Sequence, residues 1–169
     1  MDTPAAPASA YRARQPRDRP LRRLSQHDAL GLEAFFLSLD SGQRCSHFGG
    51  DLSDGAILDY CRRIDWRHTK VIARTGAHRV DAVALISDIP PDNMTAELSV
   101  ICPRCCDRSE IVGDLFDHAI NDASCHRELI VYRSFAVPEL IRLVRKRMSA
   151  GSRPGKTPVR LTPVRAGDG

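Results

Sequence analysis

The sequence predicts one α/β domain of the α+β kind, with strands paired antiparallel near the middle of the chain and amphipathic helices packed on them. Three observations carry this expectation. First, residues 95–120 change period: Met94, Ala96, Leu98 and Val100 alternate with Thr95, Glu97 and Ser99, after which Ile111, Val112, Leu115, Phe116, Ala119 and Ile120 recur at helical spacing. Second, KVIAR at 70–74 and VDAVALIS at 80–87 flank the turn TGAH in the pattern of a β-hairpin. Third, 169 residues with 42% hydrophobic and 5% aromatic content suffice for one buried core without metal or disulfide staples. No run of eighteen apolar residues is present to span a membrane.

In chain order, residues 1–20 are rich in Pro, Ala and Arg and carry no periodicity, which predicts a disordered tail. Leu21–Leu24 reads as a short first strand. Ser25 or Asp28 caps a helix over 28–39, where Leu32, Phe35, Phe36 and Leu39 fall on one stripe. Asp40-Ser41-Gly42 ends that helix, and QRCSHFGG after it, with its glycine pair and single aromatic, reads as an ordered surface loop. Asp51 or Ser53 caps the next helix, whose stripe is Ala56, Ile57, Tyr60, Cys61 and Ile64. Pro90 and Pro91, which lack N–H donors, end the second hairpin strand. Beyond the central helix, RELIVY at 127–132 is a strand. Val137, Leu140, Ile141, Val144 and Met148 mark a last helix opened by Pro138 and finished before Gly151. The domain therefore spans 21–148, followed by a flexible basic tail over 149–169 with Val159–Thr162 as a possible edge strand.

The net charge of +4 divides unevenly. Residues 1–27 carry +4 and 149–169 carry +3, whereas 28–148 nets −3. A folded nucleic-acid reader shows its basic surplus on the folded part, so nucleic acid is not expected beyond weak, salt-dependent tail contacts. The first twenty residues lack the apolar stretch of a secretory signal, which points to the cytoplasm and to reduced thiols for the six cysteines. CPRCC at 102–106 has C-x-x-C spacing, making Cys102, Cys105 and Cys106 a candidate metal set. The adjacent Cys125 and His126, with His118, do not form a second C-x-x-C turn, and no metal is expected.

The order strand, helix, helix, three strands, helix, strand, helix resembles the GNAT superfamily of acetyl-CoA-dependent N-acyltransferases. DALGLEAFFLSLDSGQRCSHFGGDLSDGAILDYCRRIDW, at 28–66, looks like the N-terminal part of bacterial GNAT domains. In those domains an Arg-Phe-rich loop lies between two helices and an Asp-Trp precedes the second strand; here 46–50 (SHFGG) occupies the loop. AELSV at 96–100 is similar to the family's Ala-Glu-hydrophobic-x-Val strand. RSEIVG at 108–113 keeps the Arg and the last Gly of its pyrophosphate loop, Arg/Gln-x-x-Gly-x-Gly/Ala, with Ile111 replacing the central Gly. A register beginning at Asp107 keeps none of the glycines, so the loop is degenerate. Val137 and Met148-Ser149 stand where the family commonly places Asn before the last helix and Gly-Phe after it.

This resemblance covers 21–148 and implies a mixed, mostly antiparallel central sheet flanked by about four helices. It implies a divergent N-acyltransferase moving an acyl group from acetyl-CoA, as cosubstrate, to an amine acceptor. Val100, Ile101 and Cys102 would line the acyl-CoA with strand backbone. Arg108, Ile111, Val112 and Gly113 would wrap its pyrophosphate with N–H groups at a helix start, where glycine permits close approach and the helix dipole favours an anion. Glu97 is the candidate base, and Tyr132, following strand five rather than in the last helix, the candidate thiolate acid. Two other readings are a catalytically inactive acyl-CoA-binding regulatory or interaction module and a zinc-binding interaction domain built on CPRCC. The acceptor's identity and the oligomeric state stay open.

Overall fold

In the computed structural model, residues 20–76, 79–91, 93–103, 108–133, 136–149 and 159–162 are described; the tails expected at 1–20 and 149–169 lie almost wholly outside them. Six strands form one sheet in chain order: β1 (Leu21–Leu24), β2 (Thr69–Thr75), β3 (Val80–Ile89), β4 (Thr95–Ile101), β5 (Glu128–Tyr132) and β6 (Val159–Thr162). Pairing is antiparallel from β1 to β4, with Val71 opposite Leu85 and Ser87 opposite Glu97. It turns parallel at β4–β5 and again at β5–β6. Five α-helices accompany the sheet: α1 (Ala29–Leu37), α2 (Ser41–Phe48), α3 (Asp54–Arg62), α4 (Arg108–Asp122) and α5 (Pro138–Ser149). No helix among the described residues is long and apolar enough to cross a membrane.

The period-two alternation divides the core into two halves. Ile72, Ala84, Ile86, Ala96, Leu98 and Val100 pack under α4 and α5, whose Val112, Leu115, Ala119, Leu140 and Val144 are fully buried. Val71, Ala73, Val83, Leu85 and Ile101 face the other way, onto Leu32, Phe35 and Phe36 of α1 and Ile57 and Cys61 of α3. Because both faces are covered, β2 and β3 read as near-continuous apolar runs. β4, with its half-open face towards α1–α3, keeps a polar Glu97 and Ser99 there.

The stretch expected as a loop, 43–50, is instead helical up to Phe48. Its eight-residue helix carries no apolar stripe and is held by its ends. The Asp40 carboxylate accepts from Gln43 N at 2.8 Å, and the Gln43 side chain accepts from Asp40 N at 2.9 Å, a capping box. Gly49, at φ 76°, closes the helix in the left-handed conformation by donating to Cys45 O. From inside α2 the Arg44 guanidinium donates to the carbonyls of Leu37, Leu39 and Leu52 at 2.9–3.0 Å and pairs with Asp54 at 2.8 Å. One side chain thus ties the end of α1, the body of α2 and the entry to α3. The acceptors it satisfies are a carbonyl at the end of α1 and carbonyls of the turns on either side of α2.

Candidate active site

β4 and β5 pair only through Thr95–Glu128, Ala96–Leu129 and Glu97–Ile130. β4 runs four residues further, to Ile101, while Val131 and Tyr132 pair with β6 instead. The two strands therefore part immediately after Glu97, and the β5-facing edge of 98–101 has no ladder partner on that side. A cavity of about 340 Å³ lies at this end of β4. Its walls are Val100, Ile101 and Cys102, Arg108 at the start of α4, Val137 and Pro138 at the start of α5, and Asp40, Gly42, Gln43, Ser46 and His47 from the α1–α2 side. A second cavity, of about 490 Å³, opens on the α1–α3 face and is lined by His47, Phe48, Leu52, Tyr60, Leu85, Ser87, Glu97 and Ser99. His47 belongs to both walls.

Glu97 lies at the base of the second cavity, with no hydrogen-bond or ion-pair partner among the described residues. Partial burial pushes its carboxyl above the ordinary glutamate range. Tyr60 stands in the same wall, its phenol raised to about 12 by burial first and by the negative charges of Cys61 and Glu97 second. His47 is stacked on Phe36 with ring centroids 5.6 Å apart and an interplanar angle of 9°, and meets Phe48 edge-on at 4.4 Å. Its Nδ1 lies 3.2 Å from Ser99 Oγ, two residues along β4 from Glu97, and its buried Nε2 has no partner. Burial lowers its pKa to about 4, so the ring is neutral at physiological pH.

That shift has a consequence for stability. A histidine whose folded pKa falls from 6.5 to about 4 contributes stability that is fully present above pH 6.5 and is lost as pH falls to about 4. The loss amounts to about 3 kcal/mol from this group. We expect urea titrations at pH 7 and pH 4.5 to show it in the native chain and to show a smaller drop in His47→Phe. Equal drops in both would dismiss the buried neutral imidazole.

Of the other expected site residues, Arg108 reaches the first cavity. Its buried Nε has no hydrogen-bond partner among the described residues but forms an ion pair with Glu139 Oε2 at 3.6 Å. Ile111, Val112 and Gly113 do not form a loop: RSEIVG is helical from its first residue, and Ile111 and Val112 are buried in the core because they begin the apolar stripe of α4. The preceding residues 104–107 lie outside the described residues. Tyr132 ends β5, paired with Thr162, and lines neither cavity. Cys102 is buried in the core with its thiol directed to Pro103 O at 3.5 Å. Cys105 and Cys106 lie outside the described residues, and among the described residues no three metal-ligating side chains converge. The residue that sequence reasoning passed over is His47. The capping box D-x-x-Q and Gly49 could have revealed its helix, but nothing local reveals its pairing with Ser99.

No family model matches the chain, and no curated protein matches it. Solved structures do. The GNAT domain of S. lividans PAT superposes with a TM-score of 0.57 at 16% identity, over 79% of this chain and 82% of its own. An acetyltransferase of the GNAT family from Streptococcus pneumoniae gives 0.52 at 15% identity, over 79% and 84%. A possible acetyltransferase from Clostridium difficile 630 gives 0.51 at 13%, over 79% and 89%. With the mixed six-stranded sheet, the parting of β4 from β5 and these superpositions in hand, the chain is a divergent protein of the GNAT fold.

Proposed function

We propose that the chain is an acyltransferase that moves an acetyl group from acetyl-CoA to an amine. The observation that carries this reading is the separation of β4 from β5 directly after Glu97, with one cavity at the end of β4, a second beside Glu97, and His47 shared between them. The first cavity fits the thioester arm. Its walls mix Val100, Ile101, Val137 and Pro138 with polar Gln43, Ser46 and Arg108, the open β4 edge at 98–101 supplies main-chain N–H and C=O groups, and the Arg108 guanidinium, paired with Glu139, adds donors for an anionic group. Bound acetyl-CoA supplies the activated acyl group. Glu97, raised by burial and free of partners, takes the proton from the acceptor ammonium. The neutral His47 ring, fixed by Ser99, separates the donor side from the acceptor side and excludes water between them.

Two measurements on the full chain test this. Acetyl-CoA at a hundred times its dissociation constant should stabilise the fold by about 2.7 kcal/mol in a thermal-shift or denaturant titration. Free thiol should be released when an amine is added. Absence of both stabilisation and thiol release would sink the proposal. Stabilisation without release, over a broad amine panel, would instead favour the inactive acyl-CoA-binding module.

A further inference from the structure

We infer that the acceptor is a monoamine with an apolar body, and that the second cavity sorts amines by what they carry besides the nitrogen. The inference rests on the acyltransferase reading and goes beyond it by naming the acceptor's chemical class. Among the described residues lining this cavity Glu97 is the one charged side chain, and it is an anion. Among the described residues of the wall no cation receives an acceptor's carboxylate or phosphate. The one side chain that could have become a cation, His47, is stacked within an aromatic cluster and bonded to Ser99. Around Glu97 stand Phe48, Tyr60, Leu52 and Leu85, so an ammonium meets a carboxylate and aromatic rings while the rest of the molecule meets carbon. The Phe48 and Tyr60 rings are 5.1 Å apart and nearly perpendicular, presenting an edge and a face to the same space. A second ammonium, as in a diamine, would find no second carboxylate among the described residues of this wall and would lie against apolar side chains, which is unfavourable. A carboxylate on the acceptor would face both that desolvation and the charge of Glu97.

A homologous series tests the inference. Relative kcat/KM for propylamine, butylamine, pentylamine and hexylamine should rise about fourfold per added methylene while the cavity fills. Against hexylamine, 1,5-diaminopentane and 6-aminohexanoate should each fall by roughly a hundredfold or more. Leu52→Glu places a second carboxylate in the wall at a half-exposed position, and it should raise the ratio of 1,5-diaminopentane to hexylamine by roughly tenfold. Acetyl-CoA binding, measured by calorimetry on the same preparations, separates the two proposals. Normal acetyl-CoA binding and transfer with a flat alkylamine series, or with the diamine equal to hexylamine, overturns the acceptor class alone. Absence of acetyl-CoA binding overturns both. An unchanged ratio in Leu52→Glu, with the variant folded and active, also counts against this cavity as the acceptor site.

Discussion

Glu97→Gln should lower the turnover of acyl transfer by roughly a hundred- to ten-thousandfold while leaving acetyl-CoA affinity unchanged, the range expected when a positioned general base is removed. The group has the two properties such a base needs. It lines the second cavity on the same strand face as Ser99, and it carries no competing partner among the described residues. Because burial raises its pKa, the acid limb of the native pH–rate profile should sit above the ordinary glutamate range, and Glu97→Gln should abolish that limb. The same shift predicts an opposite effect on stability. A carboxyl whose folded pKa is raised is most compatible with the fold when protonated, and stability is lost as pH rises through that folded value. Glu97→Gln should therefore melt higher than the native chain at pH 7, and the difference should close on acidification. A more stable and nearly inactive variant would mark Glu97 as retained for chemistry. A variant with native turnover removes Glu97 from the mechanism, whatever its melting temperature.

The contrast between Glu97 and His47 shows what local sequence can convey. Glu97 was legible because β4 alternates: a carboxylate two residues from Ser99 on the polar side of a strand is placed by the period alone, before any neighbour is known. The hairpin, α1, α3, α4 and α5 were legible for the same reason, since each buries a stripe that repeats in sequence. α2 buries almost none. Its stability comes from end caps and from Arg44, whose three carbonyl acceptors sit five to eight residues away and across two turns, so no hydrophobic pattern announces it. His47 gains its environment from Phe36 and Tyr60 on two other helices and from Ser99, fifty-two residues on. The RSEIVG stretch is the opposite case, where core packing rather than a site governs the letters. Arg108 kept its place at the cavity, but the letters after it were governed by the core: Ile111 and Val112 begin a stripe that four later residues continue, and burial of that stripe fixes them in the helix.

Phe36→Ala should cost about 3–5 kcal/mol of folding stability, the range for removing a fully buried phenylalanine from a packed core. Phe36 has no exposed surface, and its ring centroid stands 5.6 Å from those of Phe35, His47, Phe48 and Tyr60. It is the one ring that all the others share, stacked on the imidazole and edge-on to the phenol. Three of its four neighbours also wall the second cavity, so packing and the proposed site are joined at this residue. The void left by the truncation lies directly under the His47 ring. Solvent or slack there would weaken the burial that holds the imidazole neutral and bring its pKa back towards 6.5, flattening the acid-side stability loss. Where the variant remains folded, the Michaelis constant for the amine should rise more than that for acetyl-CoA, because the donor cavity has only His47 from this cluster in its wall. Phe36→Leu, which refills most of the volume, should cost about 1–2 kcal/mol and largely restore amine affinity. Denaturant titrations of the two variants at pH 7, with steady-state kinetics in both substrates, distinguish these outcomes. A cost below 1 kcal/mol for Phe36→Ala, or equal rises in both Michaelis constants, would mean that the aromatic cluster supports neither the core nor the acceptor wall in the way its geometry requires.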